Sequence, residues 1–283
     1  MPLHLPAKSF RLRPAGIFRG WLIVGVGYLT QLSTAGASGW VFGVLILPMQ
    51  DELGWSRSTL VGVLTVERLV TGAFGIWLGP RLDKHGARLV MTVSAIVAGS
   101  CLIGMALIQS PWQAYLLYGV LGLTTPGLST LGPVVSISNW FIRKRSQAIM
   151  FYTFGSATAG LVLAPAMAAV ADAMSWRTAW LLMGLMLWAV APLAWATIRQ
   201  RPEDVGQRPD GEDAPSLPAG ASISPVRDDE PEQYWTVGLA LRSPAFWLLA
   251  GGFMLTALPA SSIFIHMSAF VQSKGFSHEA GAA

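Results

Sequence analysis

The chain has 283 residues, of which 53% are apolar and 12% charged, with a mean hydropathy of +0.51. That leaves too little polar side chain to cover a water-soluble globule of this size, so lipid must be the solvent for most of it. The formal net charge of +4 does not indicate a nucleic-acid partner, which would call for a basic groove interleaved with stacking aromatics.

In lipid, long apolar runs satisfy their amides as helices, and the residue alternation of a barrel strand is missing, so the class is an all-α membrane bundle. A hydrocarbon core of about 30 Å needs roughly 20 apolar residues per helix. Seven stretches supply them: 20–47, 57–78, 88–108, 112–135, 146–170, 177–198 and 244–270. Residues 1–19 carry Lys8, Arg11, Arg13 and Arg19 ahead of a run far longer than the apolar part of a secretory peptide. They read as a cytoplasmic tail before a retained first helix. Trp21, Trp55, Trp77, Trp112, Trp140, Trp176, Trp195 and Trp247 fall near predicted helix ends, where an amphipathic ring suits the headgroup layer. The single cysteine, Cys101, lies in the third run, forms no internal disulfide and reads as a small packing residue. From 199 to 243 Pro, Gly, Asp and Glu take over, which predicts a flexible cytoplasmic connector. The expected organisation is a tail (1–19), a six-helix bundle (20–198), the connector (199–243), and a seventh helix opening a further portion (244–283).

Lys and Arg crowd into alternate connections: Arg81, Lys84 and Arg88, then Arg143, Lys144 and Arg145, then Arg199 to Arg242, against Arg57, Arg177 and Lys274 in the others. This asymmetry predicts a multi-pass membrane protein with a cytoplasmic N-terminus.

The connection after the second run reads Gly79 Pro80 Arg81 Leu82 Asp83 Lys84 His85 Gly86 Ala87 Arg88. Gly79 permits a close helix approach, Gly86 a tight turn at positive φ, and Asp83 a pair with Arg88 or a bond from a helix N-terminus. The G-x-x-x-D-K-x-G-x-R pattern resembles the signature between helices two and three of the major facilitator superfamily of transporters. The resemblance implies a twelve-helix carrier of the plasma (bacterial inner) membrane, with two halves joined by a long inner loop. This chain would supply one half and a seventh helix, and by itself is not expected to transport. It further implies that Gly79, Asp83, Lys84, Gly86 and Arg88 gate the inner face through contacts with the opposite half. A second loop, Asn139 Trp140 Phe141 Ile142 Arg143 Lys144 Arg145 Ser146 Gln147 Ala148, is similar to an element of the monocarboxylate and oxalate/formate branch. So are Gly54 Trp55 Ser56 Arg57 Ser58, Ser175 Trp176 Arg177, and Arg201 Pro202 Glu203 Asp204 Val205 Gly206. Its aromatic pair reads as an interfacial anchor and its cations as facing anionic lipid. The Arg-x-x-Gln-Gly element of many proton-coupled exporters has no arginine in Tyr118 Gly119 Val120 Leu121 Gly122, and the helix-one lysine of some monocarboxylate carriers is missing.

Glu67 and Arg68 sit about ten residues from either end of the second run, where a charge costs at least about 2.5–3.5 kcal/mol. Neighbours on a helix point about 100° apart, so a simple face-to-face pair is not expected. Instead one faces the cavity while the other meets helix 1 or 4. They read either as an anion-binding or coupling site around Arg68, with Glu67 as counter-charge or proton carrier, or as a network that locks helices. His266 in the seventh run titrates near neutral pH when unperturbed and has the chemistry to donate to a carboxylate. Gln31, Ser33, Thr34, Ser38, Thr124, Thr125 and Tyr152 are further cavity candidates, because the resemblance places helices 1, 4 and 5 along the path, although polar residues in such helices mostly bond one another. No metal cluster, phosphate loop or nucleophile elbow is present in the sequence, so neither enzyme activity nor a cofactor is expected. The expected function is transport of a small organic solute, most plausibly a mono- or dicarboxylate, by alternating access with a proton or counter-anion as coupling ion. Another solute class, or a membrane scaffold or receptor derived from half a carrier, is the alternative.

Overall fold

The computed structural model describes residues 18–211 and 237–256. Two compact units divide the chain at Pro215 and Ser216. The first holds six helices long and apolar enough to cross a membrane: α1 (Arg19–Leu53), α2 (Arg57–His85), α3 (Ala87–Met105), α4 (Pro111–Trp140), α5 (Arg145–Ala173) and α6 (Trp176–Thr197). The second holds a short α7 (Val237–Arg242) and the apolar α8 (Pro244–Thr256). There is no strand among the described residues.

The helix ends follow local chemistry. Gly54 closes α1 at φ 68°, and Ser56 then caps α2 by accepting from the amide of Thr59. Ser110, with Pro111 at the first helical position and Gln113 reaching back, forms a capping box for α4. Ser175 caps α6. At the signature the helix continues where a loop is expected: α2 runs through Pro80 to His85, and Gly86, at φ 78°, is the one break before α3. Pro80 is tolerated there with the neighbouring Arg81 guanidinium bonded to the Trp77 carbonyl and stacked on the Trp77 ring.

The bundle is assembled from three tight helix pairs, α3 with α6, α2 with α4, and α1 with α5, and each has a glycine at its crossing. A Cβ on Gly99 would lie 2.8 Å from the Gly184 carbonyl, and one on Gly184 2.7 Å from that of Gly99, so this pair brings two backbones into contact. Gly155 meets the Tyr28 carbonyl of α1, and Gly122 meets the Glu67 carbonyl of α2. Between the pairs, Phe42, Tyr118 and Trp180 form a buried ring cluster.

Three helices are interrupted by a single π turn: Gly36–Trp40 in α1, Pro126–Thr130 in α4 and Ala159–Leu163 in α5. The turns in α1 and α5 pack together. α2 and α5 are the least covered of the six spans.

Two expectations are revised. Trp140 and Phe141, read as interfacial anchors, are fully buried and pack against Phe18. The connector is read as flexible from residue 199, but its residues 199–211 pack against one end of the bundle, because their side chains and carbonyls find partners there.

Candidate functional site

The buried polar centre of the bundle is Glu67, with no exposed surface at all. α2 presents it between the π turn of α1 and the start of the π turn of α4. Three hydroxyls converge on its Oε1: Thr125 Oγ1 at 3.0 Å, Thr71 Oγ1 at 3.3 Å and Ser38 Oγ at 3.4 Å. Oε2 takes no hydrogen bond but lies 3.4 Å from Arg68 Nε, an ion-pair contact rather than a directed bond. The Arg68 side chain is 63% exposed and curls back so that Nη2 donates to the Ser38 carbonyl at 3.1 Å. Adjacent residues thus do touch, contrary to the helical-wheel expectation, because the long Arg stem bends over α1.

The π turn makes this possible. Widening the helix to an i→i+5 bond (Val41 amide to Gly36 carbonyl) turns carbonyls out of the ladder, and two of them find side chains: Ala37 accepts from Tyr118 Oη at 2.8 Å and Ser38 from Arg68. In α4 the same device recurs, with Ser129 inside the turn accepting from Tyr152 Oη. Gly122 lets α4 approach within reach, since a Cβ there would meet the Glu67 carbonyl at 2.7 Å.

The remaining sequence candidates divide. Gln31 leaves its Oε1 buried and without a hydrogen bond, about 10 Å along α1 from Ser38 at 1.5 Å per residue. Tyr152 is buried against Gly27 and held by Ser129, one turn beyond Thr125. Ser33, Thr34 and Thr124 bond back to carbonyls of their own helices. His266 lies outside the described residues. Of the signature, Gly86 makes the expected turn, Lys84 is exposed, Gly79 has nothing within 4 Å of its Cβ position, and Arg88 donates to the Trp195 carbonyl at 2.8 Å and covers that ring. The Asp83 side chain lies outside the described residues. Thr71 and Gly122 were not singled out from sequence; Thr71 lies four residues after Glu67, on the same helix face.

The family model of the Major Facilitator Superfamily matches residues 28–283. The chain belongs to the Major Facilitator Superfamily.

The chain is 27% identical over 160 residues to the MFS-type transporter hasB of Aspergillus fumigatus, covering 56% of this chain and 35% of that protein. It is 26% identical over 141 residues to a probable L-galactonate transporter of Escherichia coli (50% and 31%), and 23% over 168 residues to human monocarboxylate transporter 7 (59% and 32%). The chain thus spans about a third of the length of these relatives. Each of these relatives is named as a transporter.

Proposed function

We propose that this facilitator belongs to a carrier that moves a small organic anion, a mono- or dicarboxylate, by alternating access, with Arg68 as the first partner of the anion and Glu67 as the group that holds Arg68 in place. The observation that carries this reading is Arg68 itself, a guanidinium at mid-span that is 63% exposed while its neighbour Glu67 is sealed. Such a charge is expensive in hydrocarbon, and its planar fork fits a carboxylate. Relatives named for L-galactonate and for monocarboxylates support an anionic solute. In this reading the Gln31 side-chain amide donates a second contact to the anion through Nε2, and Tyr152 steadies the α4 turn. The open faces of α2 and α5 meet a second six-helix half. The end with Arg81, Lys84, Arg88, Arg143, Lys144 and Arg145 is cytoplasmic, and the signature there latches the inner face.

Binding of oxalate, formate and lactate to the purified chain in nanodiscs, followed by tryptophan fluorescence, tests this. Saturable binding that Arg68→Ala removes and Arg68→Lys partly restores is expected, because an ammonium lacks the fork. Equal binding by the parent and Arg68→Ala removes Arg68 from the site, and no binding of any of the three acids removes the carboxylate class.

A further inference from the structure

Residues 199–211, which follow α6, do something their composition does not announce. The Arg199 carbonyl accepts from Trp140 Nε1 at 3.0 Å and the Gln200 carbonyl from Asn139 Nδ2 at 3.2 Å. The Gln200 side chain lies against Gly86, where a Cβ would come within 3.0 Å of its Oε1. A short 3₁₀ turn, Pro202–Val205, follows, and then Gln207 Oε1 accepts from the Arg19 amide at 3.1 Å. Asp210 ends the run. Its Oδ2 accepts from the amides of Ile142 and Arg143 at 3.1 and 2.8 Å, and its Oδ1 from that of Lys144 at 3.0 Å. It is 8% exposed and held at φ 60°, the one non-glycine residue at positive φ among those described, a conformation that Asp adopts more readily than most residues. Phe18 closes over Gly211 beside it.

We propose that residues 199–211 form a clip and that Asp210 is its catch, tying the start of α1, the α4–α5 connection and the Gly86 turn of the signature into one rigid end. Three backbone donors on one carboxylate are a specific closure: no neutral or longer side chain fills the concavity of the 142–144 amides in the same way. The clip gathers Asn139, Trp140, Gly86 and the Arg201–Gly206 run, which look unrelated in the sequence, into one assembly.

Hydrogen exchange of the full chain in nanodiscs tests it. In the parent, the amides of Ile142, Arg143 and Lys144 should exchange slowly. Asp210→Ala should speed exchange at those amides about ten-fold or more. Asp210→Asn, keeping one acceptor oxygen, should fall between. Gln207→Ala should speed exchange at the Arg19 amide alone. Rapid exchange at 142–144 in the parent itself would overturn the proposal without need of any variant, as would exchange unchanged by Asp210→Ala.

Discussion

Thr71 and Thr125 each have one hydroxyl proton and two acceptors at nearly equal distance: Glu67 Oε1 or the Gly122 carbonyl for Thr71, Glu67 Oε1 or the Leu121 carbonyl for Thr125. A carboxylate draws those protons more strongly than a neutral group does, because charge-assisted bonds contribute about 1.5–3 kcal/mol against about 1 for ordinary ones. Thr125→Val should therefore destabilise the protein by about 1–3 kcal/mol on the parental background and by less on Glu67→Gln, where the hydroxyl is as well served by its own helix. Thermal unfolding of the four members of that double-mutant cycle measures the difference; equal losses on both backgrounds would mean that Thr125 merely packs. The other isolated carboxylate behaves differently. Burial raises the Asp210 pKa, but the amides of Arg143, Lys144 and Ile142 and the Lys144 charge outweigh it, and the group is held below the ordinary carboxylate range. Because the folded value is the lower one, the stabilisation is present above the unfolded value and lost as pH falls through the folded value. Amide protection at 142–144 should thus persist as pH falls through the ordinary aspartate range, about pH 4, and fade only below it.

Among helices, glycines sort by what their missing Cβ would strike. At Gly122 the obstacle is the Glu67 backbone and Val70 Cβ, and at Gly184 it is the Gly99 backbone, neither of which yields as a flexible side chain does. Gly122→Ala and Gly184→Ala should each destabilise by about 1–3 kcal/mol through overpacking. Gly39→Ala, facing open space, should be neutral or gain up to about 1 kcal/mol from helix propensity. Melting curves of the three variants would separate these cases, and a Gly39→Ala loss as large as the others would contradict the packing. The sequence reports the helices well because length and hydropathy set them. It reports their crossings poorly: Gly36, Gly39, Gly43, Gly122 and Gly155 look alike along the chain, and nothing in their spacing distinguishes the ones that touch backbone. The Glu67 neighbourhood was half legible. Mid-span charges are conspicuous, and Ser38 and Thr125 stood on plausible helices, but the π turns that aim them carry no compositional mark beyond nearby Gly and Pro. Trp140 misled because an aromatic at a helix end looks the same whether it faces headgroups or a folded-back chain.

For the molecule as a whole, the uneven covering of the spans is the largest fact. α3, α4 and α6 are well enclosed, whereas α2 and α5 leave Leu69, Ile76, Phe154 and Leu161 broadly exposed. Lipid or further protein must face these side chains, since water would not. The cations divide with equal clarity, Arg81, Lys84, Arg143, Lys144 and Arg145 at one end against Arg57 and Arg177 at the other. A cysteine placed at Asp51 or Met174 should react with an impermeant maleimide on intact cells, and one at Arg143 only after permeabilisation. The reverse pattern would invert the proposed orientation.

Each π turn also holds one residue more than an α turn would need to span the same rise. Removing a residue inside it should let the helix close into regular α geometry with both flanks kept in register, whereas a deletion elsewhere rotates everything downstream by about 100°. Deleting Gly39 from α1 should leave a protein that still accumulates and elutes as a single species, while deleting Gly25, equally exposed but in regular helix, should not. The shortened variant would keep its bundle and lose the outward carbonyls of Ala37 and Ser38, separating what folds this protein from what arms its centre.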